Sequence, residues 1–509
     1  MMSGTRSRAV LVFLGCLGAA WIGPGCSSPS PQVKAAARPA VDTTGPYVLL
    51  ASKKAAVAYA AAIAEARQLH PEAEFREFDP GNLPAIETAL KAHPPRYAMV
   101  FMLPDEIDVN FGWRWLGLTT RLDPDPFVDL RTGFITGEHP HAALALVRRI
   151  AQFAAHRVTL PLRTVDNLGP NPQAPKGSCT ETKGSFMIPV YAEATEMTTL
   201  SHALQGFTAE KMKLLEDRGF VHYGGHGYPD RVVDSLNGPW VRKIRFAPGV
   251  FFNGACYTGV TGRWFDMDGP KIAARTVKPG ESFCLGVLAS GPVAYLAALH
   301  PDHGIPVYQE MEFLAFTGAT LGEVMKYTHD GVVLGVGGKL PVFEEFADGM
   351  PHPDWKPADF MLKGTASRIL YGDPSLKVIQ PFADPPFEVV CTVQGQALQV
   401  TATLRNLKLK STFTETYYSE MSQTRQFNDR ALVTCKLPDG WTAISGIGSL
   451  SATSDGQALK AKLIGFGVEQ DGGDHRLHVL VDLPSTGYQD GPFRKAGAKV
   501  EFTAERGVP

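Results

Sequence analysis

Apolar runs of about five residues alternate with amphipathic stretches over most of the chain before Pro385. Tyr47–Ala51 reads as a buried strand, and Ser52 is placed to cap a helix through KKAAVAYAAAIAEARQL that stops before Pro71. Glu74–Phe78 predicts a second strand, Leu83–Ala92 a second helix and Tyr97–Leu103 a third strand. Strands alternating with helices at this spacing predict βαβ units and a mostly parallel sheet. The stretch DPDPFVDLRTGFITGE (123–138) supplies a turn, a strand and another turn, and HPHAALALVRRIAQF an amphipathic helix. Residues 157–206, rich in Pro, Gly, Asn and Thr, read as a long loop region. A helix capped by Thr208 then runs through Leu215 and ends at Gly219. Strands follow at Phe220–Tyr223, Val250–Asn253 and Phe283–Leu288, with helices near 305–316 and 321–328.

From about Pro385 the helical period vanishes. FEVVCTV, ALQVTATL, RALVTCKL, LKAKLIGFGV, HRLHVLVDL and KVEFTA are short β-patterned runs separated by turn residues, the spacing of a β-sandwich. The fold class expected is therefore α/β, followed by a C-terminal β-sandwich.

The N-terminus does not read as fold. Arg6 and Arg8 precede an apolar run from Ala9 to Ile22, followed by Gly-Pro-Gly-Cys and SSPSPQ. That is a charged region, a short apolar core and a small-residue cleavage site, the pattern of an export signal. The apolar run is too short to span a bilayer comfortably. Cys26 makes it a signal of lipoprotein type, although Gly23 stands where the usual lipobox has Leu. The expected organisation is a signal over 1–25, a linker over 26–44, an N-terminal α/β subdomain over 45–160, a second α/β subdomain over 161–384 and the β-sandwich over 385–509. The location expected is the periplasm or cell surface, with the membrane touched only through the lipid on Cys26.

The chain has 509 residues, 44% of them hydrophobic and 20% charged, with a net charge of −2. That balance offers no argument for nucleic acid or for an anionic membrane as partner. Of the seven cysteines, Cys16 and Cys26 lie in the signal region, and Cys179, Cys256, Cys284, Cys391 and Cys435 form no CxxC pair, so a zinc–thiolate site is not indicated. Cys391 and Cys435 lie in strand-like sequence and are placed to bridge in an oxidising compartment. Cys179 falls in a Gly/Ser/Thr loop and Cys284 in an apolar strand, where a buried thiol is the plain reading.

The chemistry concentrates in FVHYGGHGYPDRVVDSLNGPWVRKIRFAPGVFFNGACYTG, residues 220–259. Its two apolar runs close on His226-Gly227 and on Ala255-Cys256. A strand that delivers a His beside one that delivers a Cys is what acyl transfer by thiolate and imidazole needs. Glycine after the His lets substrate approach the backbone and leaves an N–H free for an oxyanion. Against this, a lone His after glycines is usually a turn residue, and a lone Cys on an apolar strand is usually packing. His222, His226, His300 and His303, or His139 and His141, are a weaker case for a metallohydrolase.

GGHG followed by NGACYTG resembles the gingipain-type cysteine peptidases of the caspase-like group. DPFVDLRTGF, KYTHDG and YGDPSLKV are similar to further family segments in the same order, and the family also continues into an immunoglobulin-like domain. The resemblance covers roughly residues 46–385 and, more loosely, the tail. It implies caspase-like sheets flanked by helices in two subdomains and cleavage of a protein or peptide substrate. Cys256 would be the nucleophile, His226 the acid/base, and Asp129 the acid supporting His226; the N–H groups of Gly227 and Cys256 would form the oxyanion hole. Tyr228, Asp230, Ser290 and Gly291 would shape the substrate pocket, with an acidic pocket for Arg or Lys as the default and Asp230 or Asp234 as its carboxylate. Phe134 stands where the family usually has Arg. No cofactor is called for; structural calcium fits the analogy, but no Asp-rich loop has convincing ligand spacing. A catalytically idle binding or assembly module of the same fold is the rival reading.

Overall fold

The computed structural model describes residues 41–155, 163–167, 179–182, 196–200, 213, 215–216, 218–233, 236–302, 310, 313–314, 317–355, 357–379, 387–404, 414–418, 425–484 and 497–508. The N-terminal half opens as its pattern predicts. β1 (Tyr47–Ser52) is followed by α1 (Lys53–Ala58) and α2 (Ala60–Leu69), and the Ser52 hydroxyl accepts from the Ala55 N–H to cap the first turn. β2 (Glu74–Phe78), α3 (Leu83–Ala92), β3 (Tyr97–Phe101), α4 (Val109–Thr119), β4 (Arg131–Ile135) and α5 (Pro140–Ala154) complete this part. β3 is buried at every position, as a parallel strand covered on both faces must be.

Further along come β5 (Arg163–Asn167), β6 (Cys179–Thr182), β7 (Glu196–Leu200), β8 (Phe220–Gly225) and a small hairpin of β9 (Gly227–Tyr228) with β10 (Arg231–Val232). They are followed by β11 (Val250–Ala255), a second hairpin of β12 (Arg263–Asp266) with β13 (Ala273–Thr276), β14 (Ala294–Ala298) and β15 (Arg368–Tyr371). Among the described residues one eleven-stranded sheet runs in the order β2-β1-β3-β4-β15-β14-β11-β8-β5-β7-β6. Only β14–β15 and β6–β7 pair antiparallel. Because β4 is parallel to β15 and β14 opposes β15, β11 and β8 run opposite to β1–β4. The carboxyl ends of β8 and β11 therefore open at the edge of the sheet where β4 begins.

Two expectations are corrected. Phe283–Leu288 is not a strand: Phe283–Ala289 is a helix whose first turn is capped by the Ser282 hydroxyl, accepting from Leu285 N–H at 3.2 Å. A short apolar run does not reveal its period, and here the cap decides. Cys284 is accordingly a buried helical thiol, and the third strand of this half is β14. The stretch 157–206 is not simply a loop, since it holds β5, β6 and β7. Their polar sequences, Arg-Thr-Val-Asp-Asn among them, give no alternation from which to read a strand. The helix expected near 321–328 is longer, Leu321–Gly335. Those expected at Thr208–Leu215 and near 305–316, and the whole signal region with Cys26, fall largely or wholly outside the described residues. No described helix is long and apolar enough to cross a membrane.

The C-terminal region is all antiparallel. β16 (Phe387–Gln394), β17 (Ala397–Leu404), β18 (Thr414–Tyr418), β19 (Arg425–Lys436), β20 (Ile444–Ser454), β21 (Gln457–Leu459), β22 (Lys462–Asp471), β23 (Asp474–Pro484) and β24 (Lys499–Arg506) form two sheets, β16-β17-β24-β20-β21 and β18-β19-β23-β22. Leu398, Val400 and Phe502 from the first share a core with Val433, Leu477 and Val479 from the second. Cys391 and Cys435, one on each sheet, are free thiols whose sulfurs are within hydrogen-bond reach. Against the helix Leu321–Gly335, Phe127 and Leu334 pack on Leu432 and Leu480. Buried Lys326 beside them bonds Asp330 at 2.5 Å and Glu469 at 2.8 Å.

Candidate functional site

β8 and β11 pair in parallel register from Phe220 opposite Val250 to Gly225 opposite Ala255. His226 and Cys256 are the next residues on these two neighbouring strand ends. Each end carries a turn that ordinary strand geometry would not make. Gly225 has φ +136, which leaves His226 exposed, and Tyr257, just after the cysteine, has φ +59. A non-glycine residue in that region stores about 1–3 kcal/mol and persists only where neighbours over-determine it. Here the Thr258 hydroxyl donates to the Ala255 carbonyl at 2.8 Å, and the Gly259 N–H donates to Ala298 at 2.8 Å. Gly227 lies directly on the cysteine: a Cβ there would stand 2.4 Å from the Cys256 carbonyl oxygen and 3.0 Å from its nitrogen. Only glycine fits.

Cys256 is half-buried, and its sulfur lies against main chain. It donates to the Asp302 carbonyl at 3.1 Å and accepts from the Asp302 N–H at 3.2 Å. The N–H groups of Cys256 and Gly227 also act on it. Burial pushes the thiol up to about 11, against the opposing pull of those three amides. The His226 ring makes no hydrogen bond among the described residues, and its carbonyl accepts from Val233 N–H at 2.7 Å. Below the sulfur lies a buried charge cluster. Arg368, fully buried, bonds the Asp302 carboxylate through Nη1, the Glu310 carboxylate through Nε and Nη2, and the Asn253 carbonyl on β11 at 3.0 Å.

Of the expected pocket residues, Tyr228 is beside the site, on β9 just after Gly227. Its hydroxyl donates to Asp268 at 2.7 Å, and the charges of Asp268 and Asp266 both act on Tyr257, next to the cysteine. Asp230 is tied to its neighbour Arg231 at 2.8 Å. Asp234 lies outside the described residues.

Ser290 and Gly291 are not at the site. They precede β14, whose first residue Ala294 pairs with Val250 at the start of β11, so they sit at the opposite edge of the sheet from Cys256. Ser290 closes the helix Phe283–Ala289, and Gly291 (φ +138) packs on the Phe246 carbonyl. The error follows from reading that helix as the third strand. The segment after the true third strand is Leu299–Asp302, which meets the sulfur.

Asp129 is also misplaced as a support for His226. It precedes β4, and β15, β14 and β11 stand between β4 and β8. Four strand spacings amount to about 19 Å. Its carboxylate instead accepts from the N–H groups of Leu122 and Asp123 at 2.8 and 3.3 Å. With Asp123 and Asp125 it offers oxygens that all lie within 4.8 Å of one another, the arrangement among the described residues that has the donors for a cation. Burial, followed by the charge of Asp123, pushes Asp129 up to about 8. His222 is buried within β8 and His300 among Trp113, Phe346 and Trp355, apart from that group. Sequence reasoning missed Asp302, Arg368 and Asp268. Asp302 lies in HPDHG, where only the histidines had drawn notice.

No family model matches the chain, and no curated protein matches it. A solved structure described as "Structure of Protease" aligns over 91% of this chain and 95% of its own, at 9% identity and a TM-score of 0.39. A likeness at that level carries no weight for activity.

Proposed function

We propose that the chain is an exported cysteine endopeptidase of the gingipain-like type. In this reading it has a caspase-like catalytic core and an immunoglobulin-like C-terminal domain, and lipid on Cys26 holds it at the cell surface or in the periplasm. One observation carries the reading: His226-Gly227 and Cys256 occupy adjacent ends of paired parallel strands, with the Gly227 and Cys256 amides converging beside the sulfur. In the reaction, the Cys256 proton passes to the His226 imidazole and the thiolate attacks the peptide carbonyl. The Gly227 and Cys256 N–H groups receive the oxyanion. His226 returns the proton to the leaving amine, and water then hydrolyses the thioester.

Asp268, held by Tyr228 beside the cysteine, is the carboxylate best placed to read an Arg or Lys before the scissile bond. The test is turnover of a peptide library varied at that position, by wild type and by Cys256→Ala. Cleavage that persists in the alanine variant would sink the assignment. The raised thiol, bonded to the Asp302 main chain, favours one second reading, an idle binding module of the same fold. It requires that no peptide in the library be cut.

A further inference from the structure

A thiol both donates and accepts hydrogen bonds, whereas a thiolate only accepts. The Asp302 main chain supplies both partners at once, its carbonyl at 3.1 Å and its N–H at 3.2 Å from the Cys256 sulfur. The carbonyl contact requires the sulfur's proton, because on ionisation its oxygen would face a negative sulfur at close range, whereas the Asp302, Cys256 and Gly227 amides favour the thiolate once that contact is broken. Nor is Asp302 free to drift. Its carboxylate is held by Arg368, which also bonds the Asn253 carbonyl on the strand that carries Cys256. Glu310 fixes the other edge of the same guanidinium. The chain before Asp302 is tied to the turn after the cysteine as well, through Tyr257 N–H to the His300 carbonyl at 3.4 Å.

We propose that Asp302, pinned by Arg368, is a latch that holds Cys256 protonated and unreactive, and that the nucleophile is released only when the Asp302 peptide moves off the sulfur. The proposal rests on reading Cys256 as the nucleophile, and it makes Asp302 a positioning residue that acts through main chain. On release, the sulfur proton turns from the Asp302 carbonyl to the His226 imidazole, giving thiolate and imidazolium.

Alkylation by iodoacetamide tests the latch without any substrate, since the thiolate displaces iodide to form a carbon–sulfur bond. The rate at Cys256 is followed by peptide mass mapping across pH 6–11, which separates it from the other cysteines, in wild type, Asp302→Asn and Asp302→Ala. Wild type is expected to react slowly at neutral pH, with its midpoint above the value of about 8.5 for free cysteine. Asp302→Ala is expected to react at least tenfold faster at pH 7.5 with a midpoint at least one unit lower, and the isosteric Asp302→Asn should fall between. Folded variants with the wild-type rate and midpoint overturn the latch. If neither variant folds, a wild-type midpoint at or below that of free cysteine overturns it on its own, and a midpoint well above it supports it. Peptide turnover by the released variant separates the two readings: a latched wild type whose Asp302→Ala variant alkylates fast yet cuts no peptide would refute the peptidase reading and leave the latch standing, whereas a wild type that cuts peptides and alkylates like free cysteine would do the reverse.

Discussion

The main chains of Gly227 and Cys256 are in contact, so that a single methyl group on Gly227 would stand 2.4 Å from the Cys256 carbonyl oxygen. Contact that close makes the backbone of the His-Gly turn part of the cysteine's setting, and Gly227→Ala must push the two strand ends apart. Moving one oxyanion donor out of place costs about 10²–10³ in kcat. We expect a loss of that size together with a lower melting temperature, because Gly227 and Ala255 are buried where the clash falls. Near-wild-type turnover in Gly227→Ala would mean that these amides do not serve the oxyanion.

A second relationship governs stability. Burial alone would raise the Glu469 carboxyl, but Lys326 and His478 outweigh it and hold Glu469 well below its ordinary range. A carboxylate lowered on folding contributes stability that is full above its unfolded value, about 4.3, and is lost as pH falls toward the folded one. Lys326→Met leaves Asp330 and Glu469 buried without the cation they share, and breaking a buried pair in this way costs about 3–5 kcal/mol. Urea unfolding should show that loss at pH 7, and a smaller one at pH 3 where the carboxylates of the unfolded chain are protonated. An equal loss at both pH values would place the effect in packing.

β1–β4, β8 and β11 were legible as runs bounded by turn residues, whereas β5–β7 are polar and β14 and β15 did not read as strands. That His226 and Cys256 stand on neighbouring strand ends was legible because glycines flag those ends. What stayed hidden depended on contacts distant in sequence. Arg368 and Asp302 are 66 residues apart and meet only because β14 and β15 pair. Ser290 and Gly291 were misplaced by one error, a capped helix read as a strand. The Asp129 carboxylate was assigned by resemblance, and no sequence feature shows that β15 and β14 come between it and the cysteine's strand.

That misassignment yields its own test. Asp129 is raised on folding to about 8, so its ionisation opposes the folded state as pH climbs from its unfolded value of about 3.9. Asn keeps an oxygen to accept from the Leu122 N–H but cannot ionise. Asp129→Asn is therefore expected to raise the melting temperature at pH 8 more than at pH 5, with turnover within about twofold of wild type, as for an ordinary substitution away from the site. A loss of kcat with an altered pH profile would return Asp129 to the support of His226.

Specificity is the sharpest question that the geometry poses. Asp230, the carboxylate suggested by the loop after His226, is paired with its neighbour Arg231 at 2.8 Å. Asp268 is exposed, held by the Tyr228 hydroxyl and near enough to act on Tyr257. A hydrogen bond to a charged group contributes about 1.5–3 kcal/mol, so removing the charge should reduce selection of a cationic residue by at least tenfold. We expect Asp268→Asn to lower kcat/KM for peptides with Arg or Lys before the scissile bond by that factor, while peptides neutral at that position change little. Tyr228→Phe, which frees the carboxylate without removing it, should cause a smaller loss confined to the same peptides. Equal losses on charged and neutral peptides would show that Asp268 shapes the loop rather than reading the substrate's charge.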